Sequence, residues 1–333
     1  MPETGCRVEV TRCGRLESLH HCAAVVCAPS GEVVAAYGDW QRSAYLRSCG
    51  KFLQAAILPI TGSDLALALD LSEIAIACGS HGARPDQLAA IRSLLAKAGL
   101  DESFFQCKPH PPLEESVILA LARAGLEPTA ICNNCSGKHA SMLAVSKLKG
   151  WPLETYMRPD HPVQQLALRC VAEFCGLAPE AIPLGIDGCG VPVFWVSLAK
   201  TATGFARFAS GEGLSEELAS AASRLRQAIS AYTELTTTLT FPALKLMQAT
   251  GCRVLSKGGA EGLIAAGDTK TGLGFAVKAL DGSHRASGPM LLELIKRHLD
   301  LPEETLMELA PIREVILQEG PEGPVAEAKP YLD

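Results

Sequence analysis

The stretch at residues 47–54 reads RSCGKFLQ, and it guides the interpretation of the whole chain. Ser48 and Lys51 are three residues apart at the start of an apolar segment, so a helical turn places both side chains on one face. A lysine amine with a lowered pKa can take the serine proton and turn the hydroxyl into a good nucleophile. The spacing indicates covalent catalysis, although a surface serine and lysine also match it by chance.

The composition is typical of a protein with a large aliphatic core. Of the 333 residues, 48% are hydrophobic and 20% are charged, and the net charge is −6 without any run of arginine and lysine. These features argue against a nucleic-acid partner. The first residues are polar and acidic, unlike a signal peptide, and the apolar runs are shorter than the about 20 residues that a membrane span needs. We therefore expect a soluble, cytoplasmic protein without a membrane partner.

The predicted elements indicate strands at both ends of the chain and helices between them. Strands are predicted at residues 7–10, 22–28, 32–37, 254–256, 263–266 and 274–279, and helices at 48–59, 85–97, 113–124, 136–149, 163–174, 214–230, 241–249 and 287–298. This order predicts an α/β (α+β) fold in which a mostly antiparallel central sheet is built from both termini and carries a helical layer or subdomain. Serine β-lactamases and related glutaminases share this organisation. We expect one catalytic unit at residues 1–319 and a tail at 320–333 that is rich in Pro, Gly and Glu and mobile at least in part.

The chain has 13 cysteines, and most of them are isolated in the sequence. Without an export signal, the default expectation is buried free thiols. Cys132 and Cys135 form a Cys-x-x-Cys pair, which is typical of a redox site or half of a zinc site, but a second pair is absent. Cys135 together with Cys189 and one or two nitrogen or oxygen ligands is the alternative, a site for a soft divalent ion such as zinc.

Glycine-punctuated segments surround these candidate residues, and together they resemble one family, the rhizobial-type L-asparaginases. The Ser-x-x-Lys spacing is also that of serine β-lactamases and penicillin-binding proteins. The resemblance extends from about Val8 to Ala286. It rests on these segments, in this order: Glu17–His20, Arg47–Gln54, Gly79–His81, Cys132–Lys138, His161–Gln164, Asp187–Pro192, Lys257–Gly262 and Asp281–Gly282. It implies a serine β-lactamase/glutaminase-like fold and a homodimer.

The resemblance also implies catalytic roles. Ser48 corresponds to the nucleophile and Lys51 to its partner. Ser80 corresponds to a second active-site serine, whose lysine partner is Lys257 or, as an alternative, Lys278. The general base is then Lys51 acting directly, or a lysine acting through Ser80.

A metal site and substrate contacts are implied in the same way. The family is expected to bind one zinc ion per chain through Cys135, Cys189 and the amine of Lys138. A lysine binds metal only when neutral, so zinc binding must release its proton. The expected substrate contacts are Arg47, Asp187 and His139.

The expected activity is hydrolysis of L-asparagine to L-aspartate and ammonia. Ser48 would attack the side-chain amide, ammonia would leave, and water would hydrolyse the resulting ester. One alternative is another serine amidohydrolase, which acts on glutamine or on a β-lactam-like amide. A second alternative, suggested by the cysteines, is a thiol-rich metal-binding or redox-sensing protein.

Overall fold

Antiparallel strands from both ends of the chain form the main sheet. The computed structural model describes residues 5–313, 319–320, 323–324 and 326–333. In chain order the strands are β1 (Cys6–Arg12), β2 (Arg15–Cys27), β3 (Val33–Tyr37), β4 (Ser43–Tyr45), β5 (Leu184–Ile186), β6 (Pro192–Ser197), β7 (Val254–Gly258), β8 (Leu263–Asp268), β9 (Gly274–Ala279), β10 (Glu319–Gly320), β11 (Gly323–Pro324) and β12 (Ala326–Leu332).

The main sheet has the strand order β12-β1-β2-β9-β8-β7, and β3 also pairs with β2. All of these pairings are antiparallel. The strands predicted at residues 22–28 and 32–37 are confirmed as parts of β2 and β3, which pair as a hairpin, and the three predicted later strands are confirmed as β7, β8 and β9. The predicted fold class is therefore confirmed, including a central antiparallel sheet that both termini build.

Strand β12 forms the last part of the predicted tail. It pairs with β1 from Cys6 opposite Leu332 to Arg12 opposite Ala326. The physical reason is alternation, because Ala326 and Ala328 are buried while Glu327 and Lys329 are exposed. Residues 321–322 and 325 of the predicted tail lie outside the described residues, as do residues 314–318 before the predicted domain boundary.

Helices cover both faces of this sheet. In chain order they are α1 (Lys51–Gln54), α2 (Ile57–Ile60), α3 (Ser63–Ala66), α4 (Leu71–Ala77), α5 (Pro85–Lys97), α6 (Glu115–Ala124), α7 (Ser136–Leu148), α8 (Pro162–Cys175), α9 (Leu198–Ser210), α10 (Glu216–Ala231), α11 (Pro242–Ala249), α12 (His284–His298) and α13 (Glu303–Arg313). In the described part of the chain, no helix is both long enough and apolar enough to cross a membrane.

Two helices set the layers of the core. Helix α9 packs on β2, β8 and β9 from one side, and α12 packs on the same strands from the other. The approach of α9 is close enough to require glycine in the sheet, because a Cβ at Gly274 would lie 1.9 Å from the carbonyl oxygen of Ala202 and one at Gly267 would lie 2.2 Å from that of Phe205. Strands β8 and β9 are therefore covered on both faces.

The segment that contains Ser48 differs from the predicted continuous helix. It starts with a 3₁₀ turn at Arg47–Gly50, and α1 and α2 follow as separate short helices. Gly50 has a low helix propensity, and the backbone N–H of Ala56 bonds back three residues to Leu53, which tightens the chain between the two helices. Helices α3, α4, α9 and α13 and strands β4, β5, β6, β10, β11 and β12 were not predicted.

Candidate active site

The turn that carries Ser48 lies between strands β6 and β7. The backbone N–H of Leu46 donates to the carbonyl of Phe194 in β6, at 2.9 Å. Arg47 then adopts a φ of 46°, a left-handed conformation that is uncommon outside glycine and is concentrated at functional sites. In a 3₁₀ turn, residues three apart eclipse each other, so Ser48 and Lys51 lie on the same side of the chain.

Strand β7 brings Lys257 to this turn. The thiol of Cys49 donates to the backbone carbonyl of Lys257, with 3.0 Å between sulfur and oxygen. Just after the strand, a Cβ at Gly259 would lie 2.9 Å from the carbonyl oxygen of Leu46, so only glycine allows so close an approach. Two segments that are about 200 residues apart in sequence thus meet at the serine.

The side chain of Lys51 is fully buried and points to Ser80. Its Nζ donates to Ser80 Oγ at 2.8 Å and to the backbone carbonyl of Asn134 at 3.1 Å. Ser80 is held in turn by its backbone N–H, which donates to the carbonyl of Thr236 at 2.9 Å. Burial lowers the pKa of Lys51, which favours the neutral amine that a general base requires.

Lys257 is the second buried amine near Ser48. Burial, assisted by the positive charge of Lys51, lowers the pKa of Lys257 to about 7. Lys278 has a different environment, because its Nζ donates to the backbone carbonyls of Glu261 and Ala279. Of the two lysines considered as partners of Ser80, only Lys257 lines the cavity that contains Ser80.

Ser48, Ser80 and Lys257 line one cavity of about 240 Å³, and Lys51 is connected to it by its hydrogen bond to Ser80. Its polar side carries two serine hydroxyls and one lysine amine, and its other side is mostly apolar. The lining residues are Ser48, Ser80, Leu113, Asn134, Thr237, Thr238, Phe241, Lys257, Gly258, Gly259, Ala260 and His284. The arrangement provides a nucleophile, a second hydroxyl and buried amines within one small-molecule site, which is what acyl transfer requires.

A cluster of thiols and charges adjoins this cavity. Ligand-type atoms of Cys135, Cys189 and Asp187 all lie within 4.8 Å of one another. Asp187 Oδ1 accepts from Arg47 Nε at 2.8 Å, and its Oδ2 lies 3.8 Å from Lys138 Nζ. The cluster therefore contains the three predicted metal ligands and two of the three predicted substrate contacts.

The electrostatics of the cluster favour a thiolate. A hydrogen bond from Cys135 and the charge of Lys138 lower the pKa of Cys189 to about 5, although its burial acts in the opposite direction. The same hydrogen bond and burial raise the pKa of Cys135 to about 12. Burial alone would lower the pKa of Lys138, but the charges of Cys189, Cys135 and Asp187 outweigh it and raise that pKa.

His139 lies beside the cluster and does not line the cavity. It is fully buried, and its Nδ1 pairs with the hydroxyl of Tyr156 at 2.7 Å. Its Nε2 is buried without a hydrogen-bond partner among the described residues. Burial and the charge of Lys138 lower the pKa of His139 to about 3, so the ring is neutral.

Several cavity residues carry no signal in the sequence. Asn134 lies inside the segment Cys132–Lys138, but none of the quoted segments contains Leu113, Thr237, Phe241 or His284. Phe241 and His284 pack edge to face, with ring centroids 5.5 Å apart, and form one apolar wall. Such walls are set by tertiary packing alone.

A sequence model of one family, L-asparaginase II, matches residues 8–330 of this chain. The chain belongs to the L-asparaginase II family. It is therefore an amidohydrolase, an enzyme that acts on small amides. The candidate nucleophile and both buried amines lie within the matched residues. No curated protein matches the chain in sequence.

Among solved structures, this L-asparaginase II family member is similar to two β-lactamases. The one from Mycobacterium bovis is 17% identical with a TM-score of 0.41, over 87% of this chain and 94% of that chain. The one from Sphaerobacter thermophilus is 13% identical with a TM-score of 0.38, over 88% of this chain and 90% of that chain. Because both scores are low, the assignment of activity rests on the family match and not on these structures.

Proposed function

We propose that this protein hydrolyses the side-chain amide of L-asparagine to L-aspartate and ammonia. The observation that carries the proposal is the hydrogen bond between Lys51 and Ser80 in the cavity that also contains Ser48 and Lys257. This set of groups lies in a chain of the L-asparaginase II family.

In the proposed reaction, Ser48 Oγ attacks the amide carbon. Its proton passes to a neutral lysine, Lys257 or Lys51, and is returned to the nitrogen that leaves as ammonia. Water then hydrolyses the β-aspartyl ester and restores the serine. Lys257 suits the role of base because a pKa of about 7 leaves a large fraction of the amine neutral near pH 7.

Recognition of the amino-acid part of the substrate requires both signs of charge. Arg47 directly precedes Ser48 and holds Asp187 in a 2.8 Å ion pair. The proposal assigns the substrate carboxylate to Arg47 and the substrate ammonium to Asp187. His139, the third expected contact, has a buried ring that is paired with the hydroxyl of Tyr156.

The proposal includes one zinc ion per chain. The donor set fits a zinc site, since the sulfurs of Cys135 and Cys189 are close together and one of them has a low pKa. Lys138 completes the proposed ligands, and zinc would have to displace the proton that Cys189, Cys135 and Asp187 favour on its amine. The next residue in the chain, His139, has a buried Nε2 without a hydrogen-bond partner among the described residues. When bound, zinc would polarise or orient the substrate as a Lewis acid.

The proposal also describes the enzyme as a cytoplasmic homodimer. Support for self-association comes from α6, in which no residue is buried. Ile118 and Leu119 on this helix and Leu126 just after it are large apolar side chains exposed to solvent, a pattern typical of an interaction surface. Sedimentation of the wild type against Leu119→Glu tests this part, because a charge on the helix should shift the protein toward monomer.

Ammonia release from asparagine, compared with glutamine and with hydrolysis of a chromogenic cephalosporin, tests the proposed substrate. We expect asparagine to give the highest kcat/KM and Ser48→Ala to remove the activity. A preference for glutamine or for the cephalosporin would contradict the proposal and leave a different serine amidohydrolase. Activity of Ser48→Ala equal to the wild type would contradict the proposed nucleophile.

A further inference from the structure

Away from the cavity, three polar side chains form a second hydrogen-bonded series. Ser18 and His20 lie two residues apart on one face of β2. Ser18 Oγ is 3.4 Å from His20 Nε2, and His20 Nδ1 is 2.5 Å from Asp281 Oδ2. Asp281 belongs to the turn between β9 and α12, and none of the three residues lines the cavity that contains Ser48.

The direction of these hydrogen bonds suits nucleophilic chemistry. The carboxylate of Asp281 accepts the Nδ1 proton of His20, which leaves the Nε2 lone pair facing Ser18. The guanidinium of Arg285 donates to Ser18 Oγ at 2.7 Å. Because that bond uses an oxygen lone pair, the hydroxyl proton is free to point at Nε2.

We propose that Ser18, His20 and Asp281 form a second nucleophilic centre that hydrolyses small carboxylic esters. Ser18 Oγ would bond to the ester carbonyl carbon while His20 Nε2 takes its proton. The ester C–O bond would then break as His20 gives that proton to the leaving alkoxide, which departs as an alcohol. Water, deprotonated by the same nitrogen, would cleave the acyl-serine to a carboxylic acid and restore the hydroxyl.

Arg285 supplies the charge stabilisation that such a reaction requires. Its Nε is buried without a hydrogen-bond partner, and within the described residues its guanidinium forms no ion pair within 4.0 Å. Because the guanidinium lies next to the nucleophile and has no carboxylate partner in the described part of the chain, its positive charge can stabilise the negative oxygen of a tetrahedral intermediate.

The exposure of the cluster sets the class of substrate. Ser18 is partly exposed, and the side chain of Asp281 is 45% exposed, so a small ester can reach the serine. The cluster of Ser18, His20 and Asp281 lies at the protein surface, at one end of the sheet, and is not enclosed as the main cavity is. We therefore expect weak binding and turnover of activated esters, such as aryl acetates.

The test uses the full-length Ser48→Ala protein, in which the proposed main nucleophile is absent. It is treated with a fluorophosphonate, which modifies activated serines, and the site is located by tandem mass spectrometry. In parallel, hydrolysis of p-nitrophenyl acetate is measured. We expect modification at Ser18, and loss of both signals when Ser18→Ala is added. Ser30→Ala, at an exposed serine whose hydroxyl contacts only the backbone N–H of Glu32, is the matched control and should change neither signal.

Asp281→Asn distinguishes a catalytic series from a merely reactive serine. The side chain is well exposed, so the fold should survive, and we expect both the modification rate and ester hydrolysis to fall at least tenfold. His20→Gln should have the same effect if it folds. The proposal is overturned if the reagent does not modify Ser18, or if Asp281→Asn reacts at the rate of its parent. Because Ser48 is absent throughout, these results are independent of asparagine hydrolysis.

Discussion

Lys51 hydrogen bonds to Ser80, which lies 29 residues further along the chain, and not to Ser48, which lies three residues before it. The 2.8 Å bond makes Ser80 the group that holds the buried amine in place. Ser48, Lys51 and Ser80 therefore belong to one catalytic arrangement, although Ser80 lies outside the Ser-x-x-Lys motif. This arrangement leads to separate expectations for the two hydroxyls.

Replacement of Ser48 by alanine should remove the nucleophile. We expect kcat for asparagine to fall by about 10³-fold or more, because loss of a covalent nucleophile leaves only binding and charge stabilisation. Ammonia release measures the effect, and circular dichroism checks the fold. Ser30→Ala, a control at an exposed serine outside the cavity, should keep wild-type activity. A Ser48→Ala enzyme that keeps more than a tenth of kcat would exclude this serine as the nucleophile.

Ser80→Ala should act through the position of Lys51. We expect kcat to fall by about 10²-fold, in the range of misplaced acid–base groups, while KM changes much less. Ser80→Thr retains a hydroxyl and should recover part of the loss. Steady-state kinetics of the two variants make the comparison, and equal kcat in Ser80→Ala and the wild type would show that the hydroxyl is dispensable.

Activity should rise with pH through the ionisation of Lys257. Burial lowers its pKa to about 7, and only the neutral amine can accept the serine proton. We expect kcat/KM to increase from pH 5.5 to 8 with the profile of a single ionisation whose midpoint lies near pH 7. Lys257→Met should lose both this ionisation and most of the activity. A flat profile in the wild type would argue against this lysine as the base.

The same shift predicts a pH dependence of stability. Between pH 7 and 10.5, the unfolded chain protonates Lys257 while the folded chain does not, so the free energy of unfolding should rise with pH. The contribution of one lysine is at most about 1.4 kcal/mol per pH unit. Denaturant unfolding of the wild type and Lys257→Met at pH 7, 8 and 9 measures it. As the pH rises, the free energy of unfolding of the wild type should increase relative to that of Lys257→Met. If the two free energies change with pH in parallel, the pKa of Lys257 is not lowered.

Zinc binding should depend on the thiol cluster. We expect about one zinc per chain by metal analysis, and loss of that zinc in Cys189→Ser and Cys135→Ser, because each substitution removes a sulfur ligand. Cys13→Ser is the matched control, since Cys13 is exposed and lies far from the cluster in sequence. Chelation should weaken asparagine binding without unfolding the chain. Full zinc content in the double variant Cys135→Ser/Cys189→Ser would place the ion elsewhere.

The sequence was sufficient for elements with a local signal and for the sheet as a whole. Helix α5 begins at the Pro85 that marks its first turn and ends at Lys97, as predicted. Residues 71–77 also had a signal that was overlooked, since Asp70 and Glu73 form a capping box at the start of α4.

Helix α9 shows where local patterns fail. It lies between the sheet and α8, and most of its residues, including Leu198, Phe205 and Phe208, are buried. The partly exposed polar residues of α9, Lys200, Arg207 and Ser210, form only a narrow polar face. The contacts of the active site carry no local pattern either, because the contact of Lys51 with Ser80 and the approach of Lys257 depend on long-range packing that no spacing reveals.

The pairing of β12 with β1 has a practical consequence for work with shortened chains. Deletion of residues 326–333 would leave β1 at the edge of the sheet with its N–H and C=O groups unpaired. Buried side chains such as Val8 and Val10 would lose cover on that side. An open strand of this kind templates pairing between molecules. A shortened protein should therefore aggregate while keeping every residue of the cavity, and a loss of activity on truncation would report solubility and not chemistry.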